Sequence, residues 1–132
     1  MAGTLTLTSH KTPSPVVGVI TIDGVGDAAD GSFPTLAIPA FEGHLVSLTT
    51  NPGATAPTDN YDLVLNDANG TDRMQGVGAD RHTTTTQQVP IVYSGTGAHP
   101  PVSISDVLTL TPTGNSVNSA IIHVVIAYAL GA

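Results

Sequence analysis

The sequence predicts an all-β protein, a single-domain antiparallel β-sandwich or jelly-roll-like fold with little helix. Apolar residues recur mostly with period two, and the runs are punctuated by Gly, Pro and one Asn-Gly pair. Together these signal short strands joined by turns. No window of helical length has an apolar stripe at 3.6-residue spacing bounded by caps. The 132 residues fit one domain, 1–132. A chain of this size buries roughly two thirds of the surface its unfolded form exposes, enough for a sandwich core.

Each element follows from its pattern. Leu5 and Leu7 alternate with Thr4, Thr6 and Thr8 in a first strand, which Pro13 and Pro15 end. The segment 12–15 marks either a tight corner or the end of an N-terminal arm, residues 1–15. Residues 16–22 are a β-branched run ending at Asp23-Gly24, followed by a Gly- and Asp-rich loop. Residues 35–38, flanked by Pro34 and Pro39, suit a short edge strand, because proline cannot donate to a central ladder. Strands follow at 44–50 and 61–66, where Tyr61, Leu63 and Leu65 share one face.

Asn69-Gly70 signals a hairpin with a type I′ turn, whose two central residues need positive φ. Its returning arm, 72–75, is weak because it runs into Gly76-Val77-Gly78. Residues 82–88 form a polar Thr tract, either exposed strand or loop. Residues 89–93, 102–110 and 116–130 complete eight or nine strands. The last is long enough to bend across two sheets or to reach a partner subunit.

Composition narrows function. Charged residues are 10% of the chain and hydrophobic ones 40%, so much of the surface must be Thr, Ser, Asn and Gly, which suits a protein covered by neighbours. Lys11, Arg73 and Arg81 face ten carboxylates, a net charge of −7. Nucleic acid, which demands a basic patch, is excluded as the main partner, and an anionic membrane surface is disfavoured. There is no cysteine, hence no disulfide or thiolate chemistry. The N-terminus lacks the charged start and apolar run of a signal peptide, and the expected site of synthesis is the cytoplasm. The apolar stretch 120–132 is interrupted by His123 and is shorter than the roughly 20 residues of a membrane-spanning helix.

Motifs for chemistry are absent or explained by turns, so no catalytic residue, cofactor or metal is assigned. Gly24, Gly26 and Ala29 match a dinucleotide fingerprint in spacing, but Asp27 and Asp30 would face the phosphates and residues 31–34 stop any helix. Residues 67–72 cluster oxygen ligands, yet Gly70 is fourth where a calcium loop needs it sixth. His10, His44, His82, His99 and His123 have no paired metal-ligand spacing. His123 reads as a core or interface histidine. Residues 94–97 read as a turn rather than a nucleophile elbow. Arg73 and Arg81 each call for a carboxylate partner within the subunit or across an interface, where Arg is enriched. Leu5, Leu7, Arg73, Arg81 and His123 are the candidate interface residues.

One block carries a resemblance. Residues 49–53 and 55–62, then Asp67, Gly70 and Asp72, then Gly76, Gly78 and Arg81, with a weak extension to 116–120, resemble small structural proteins of tailed bacteriophages. The resemblance covers about a third of the chain. It implies a β-rich virion component, often trimeric, and for this chain a capsid decoration or cement protein. Such a protein binds the major capsid protein on the outer head surface where capsomers meet. The alternatives are a tail or head-spike component, or a β-sandwich module for glycans or a receptor. The last is disfavoured by the absence of Trp and the few aromatic residues.

Overall fold

The computed structural model describes residues 2–11, 17–39, 43–91, 102–104 and 107–129. Nine strands occur in it: β1 (Thr4–Lys11), β2 (Val17–Val25), β3 (Leu36–Ile38), β4 (Gly43–Pro52), β5 (Asp62–Asn66), β6 (Gln87–Pro90), β7 (Val102–Ile104), β8 (Leu108–Thr113) and β9 (Ile121–Ala129). None of the described residues is helical. The first sheet runs β1-β2-β9-β4-β6, with β7 also on β4, and the second runs β3-β8-β5. Every pairing is antiparallel.

The chain crosses between sheets at β2 to β3, β3 to β4, β4 to β5, β5 to β6, β7 to β8 and β8 to β9. Period-two alternation makes this possible, since each strand offers one apolar face. Ile20 and Ile22 of β2, Leu45 and Leu48 of β4, and Ile122, Val124 and Ile126 of β9 point inward from the first sheet. They meet Ile38, Leu63, Leu65, Leu108 and Leu110 of the second in one buried cluster. Fully burying each such side chain stabilises by roughly 1.5–3 kcal/mol, and that is what holds the two layers together.

Three strand boundaries differ from the sequence expectation. β2 continues through Asp23-Gly24 to Val25. Gly24 is there for packing: a Cβ would lie 2.8 Å from Leu5 Cδ1 and 3.0 Å from Ile122 Cγ1. The run 102–110 is two strands in different sheets, β7 on β4 and β8 between β3 and β5. β9 starts at Ile121, and residues 116–120 form a turn organised by Asn115. The Asn115 side chain accepts from the Thr58 and Val117 amides and donates to the Gly31 carbonyl. β9 lies wholly in the first sheet, between β2 and β4.

The hairpin after β5 exists but is of another type. The Gly70 amide donates to the Asp67 carbonyl and the Asp67 amide to the Thr71 carbonyl. Only Gly70 has positive φ, +81°, so this is a type I turn closed by a glycine bulge. The Asp67 carboxylate secures it by accepting from Asn69 and Thr71. The returning arm is a single bridge, Asn66 with Asp72. The proposed corner at 12–15 and the turn at 94–97 lie outside the described residues.

Candidate interaction surface

β5 is the last strand of the second sheet, and residues 72–81 close its open side without forming a strand. The Leu63 amide donates to the Gly78 carbonyl at 2.8 Å, and the Arg73 amide to the Leu65 carbonyl at 2.7 Å. The Arg81 amide donates to the Tyr61 carbonyl at 2.7 Å, and the Asn60 amide to the Arg81 carbonyl at 3.0 Å. Asp72 is the hub: its carboxylate accepts from the amides of Leu65, Met74 and Gly76. Met74 is fully buried and plugs the core beneath. Gly78 passes so close to β5 that a Cβ would stand 2.2 Å from the Leu63 carbonyl oxygen. An edge whose amides and carbonyls are used internally cannot recruit another chain.

Arg81 belongs to this cover. It is buried, and its Nε and Nη2 donate to the Ala79 carbonyl at 3.1 and 3.0 Å. Its Nη1, the Tyr61 hydroxyl and the Thr50 hydroxyl are buried without hydrogen-bond partners among the described residues. Burial pushes the Tyr61 hydroxyl above the ordinary tyrosine pKa, while the adjacent Thr50 hydroxyl and the Arg81 charge pull the other way. Thr50 and Tyr61 are neighbours but not aligned for a regular hydrogen bond. Arg73 is half-buried in the same lobe. The Thr tract is a loop closed by side chains: His82 Nδ1 accepts from the Thr84 and Thr85 amides, and the Thr86 hydroxyl donates to Asn51.

The outer side of the first sheet is different. β9 is apolar on both sides. Its inward residues are fully buried, and its outward ones, Ile121, His123, Val125, Ala127 and Ala129, are half-buried. Register places Val25 beside Ile121, Thr21 and Thr49 beside Val125, and Val19 and Ser47 beside Ala127. Val25 is 42% exposed. A strand apolar on both sides is the mark of a sheet covered on both faces. Among the described residues the one carboxylate on this face is Asp23, which pairs with His123 directly across from it. The other described aspartates lie in loops or at the start of β5. The sequence run 120–132 announced the apolar strand; the Asp23 partner, 100 residues from His123, was not visible until register was known.

The remaining candidates fall on β1, which among the described residues is an edge strand paired with β2. Leu5 is buried in the core and Leu7 packs against it, while Thr4, Thr6 and Thr8 are exposed. Residues 4–11 of the segment read as an arm lie along β2, in register from Thr4 with Val25 to Lys11 with Val19, across one irregularity after Leu7; residues 12–15 lie outside the described residues.

Two clefts lie elsewhere. One of about 260 Å³ is lined by Val25, Gly26, Ala28 and Ser119 with the first residues of the chain, and one of about 350 Å³ by Phe33, Thr111, Pro112 and Asn115 among others. Neither lining includes an acid, a base or a thiol. The Asp27 carboxylate accepts from the Ala29 and Asp30 amides, so the would-be fingerprint is a capped turn. Among the described residues no three His or acidic side chains converge as a metal site.

No family model and no curated protein matches the sequence. Among solved structures, a chain of the cyanophage Pam1 capsid asymmetric unit is similar at 17% identity and a TM-score of 0.44, over 96% of this chain and 94% of that one. The functional reading therefore rests on the residues themselves.

Proposed function

We propose that this chain is a non-enzymatic virion protein of a tailed phage, a capsid decoration or cement subunit. It binds as a homotrimer to the outer surface of the head and bridges neighbouring major capsid proteins. The observation that carries the reading is the block 49–81: the residues that resemble phage structural proteins make up the end of β4, β5 and the lobe that seals β5. They serve architecture, and none is arranged as a reaction centre. The interleaved strand order, β2-β9-β4 opposite β3-β8-β5, supports a jelly roll, an architecture found in viral capsid domains and also in lectins and cupins. Fold alone does not assign function, so the block and the surface must bear the weight.

The mechanism is mass action: a subunit that binds the assembled shell and not its separated parts stabilises the shell. The free side of β1 supplies unpaired backbone groups for strand addition by a capsid protein. Quantitative mass spectrometry of virions carrying the gene tests the reading. Hundreds of copies per particle are expected; a few copies would move the protein to the tail or a spike, and none would end the proposal.

A further inference from the structure

We infer that the outer face of the first sheet, centred on β9, is a self-association surface whose occupant is another copy of this chain. The inference does not depend on the virion reading. Two properties of the face select the occupant. The first is charge. Each copy carries −7, so copies repel over most approaches. This face carries a single described carboxylate, Asp23, held by His123, and around the pair lie Thr6, Thr21, Asn51 and Val125. Acidic copies meet at least electrostatic cost where each presents the fewest carboxylates.

The second is size. Five strands at about 4.8 Å spacing and nine residues at about 3.3 Å rise span roughly 24 by 30 Å. That is on the order of 700 Å², close to the roughly 800 Å² each partner contributes to a stable interface. The stripe of Ile121, Val125 and Ala127, flanked by Val19 and Val25, supplies an apolar centre, and Thr4, Thr6 and Gln88 a polar rim. This matches the layout of protein interfaces, apolar at the core and polar at the edge. The same side chains explain why β9 is apolar on its outward side, which the sandwich core alone does not require.

Sedimentation equilibrium of the purified chain across micromolar concentrations tests this. The expected result is a mass of two or three subunits, reduced to one subunit by Val125→Asp with an unchanged far-UV circular dichroism spectrum. Thr49→Arg, half-buried on the outward side beside Val125, should weaken association at least tenfold with an unchanged circular dichroism spectrum, whereas Thr113→Asp, exposed and away from the face, should leave it intact. A wild type that stays monomeric up to roughly 100 micromolar would overturn the inference. So would an oligomer that both Val125→Asp and Thr49→Arg leave unchanged. A monomeric wild type would also remove the trimer from the proposed function, whereas virion copy number tests the virion role by itself, so the two failures are distinguishable.

Discussion

The β5 side of the second sheet and the outer face of the first sheet pose the same problem and receive opposite treatment. At β5 the backbone groups of Tyr61, Leu63 and Leu65 are taken by residues 72–81. At β9 an apolar stripe faces outward, and at β1 one strand side has no strand partner among the described residues. Sealing one edge with an irregular lobe prevents indiscriminate pairing there. The other side is left apolar and poor in carboxylates, which is why self-association is assigned to it. Arg73 and Arg81, which composition alone nominated for contacts, lie in the sealed region, and His123 lies in the open one.

Substitutions in the lobe should be the most damaging. Met74→Ala empties a fully buried site and should cost about 3 kcal/mol, read as a lower urea midpoint. Gly78→Ala places a Cβ against the Leu63 carbonyl and the buried Met74 Cε and should cost about 2–3 kcal/mol, because the carbonyl it meets is backbone and cannot swing away. Asp72→Ala leaves three amides without their acceptor and should cost about 2 kcal/mol. If all three variants melt like the wild type, the lobe does not seal the edge.

The open face should respond in the reverse sense. Thr21→Lys should change stability by less than about 0.5 kcal/mol, as expected of an outward position, yet reduce association. A loss of stability without a loss of association would erase the distinction between the two regions.

The smallest effect concerns Tyr61. Burial raises its pKa and that of Tyr128, so the folded chain keeps these protons at a pH where the unfolded chain releases them. Stability is full below the ordinary tyrosine value of about 10 and falls as pH rises through and beyond it. Urea midpoints between pH 9 and 11 should decline less steeply in Tyr61→Phe. At pH 7 that variant should be within about 1 kcal/mol of wild type, since the hydroxyl it removes has no partner. A large loss at pH 7 would mean the hydroxyl is satisfied in solution.

Side-chain alternation made much of this fold legible. Leu5 with Leu7, and Tyr61 with Leu63 and Leu65, point to the core as their spacing implies. What escaped was carried by atoms with no pattern. The cover of β5 uses backbone amides and carbonyls, and the split of 102–110 between two sheets occurs within a run that reads as one strand. Asn69-Gly70 correctly marked a turn, but the Asp67 side chain selected its type. Gly24 was read as a stop because glycine usually breaks strands, whereas here it makes room for Leu5 and Ile122. The outer face was half legible: the apolar run was plain, but its scarcity of carboxylates depends on which strands flank it.

The position of β9 has a consequence for biogenesis. The strand that joins β2 to β4 follows both of them in the chain, so a ribosome delivers the flanks of the sheet long before its keystone. Until those residues emerge, two half-sheets wait with exposed seams, and long-range β pairing is slow to form. A nascent chain halted before residue 121 should therefore be an aggregation-prone client of chaperones rather than a smaller folded protein.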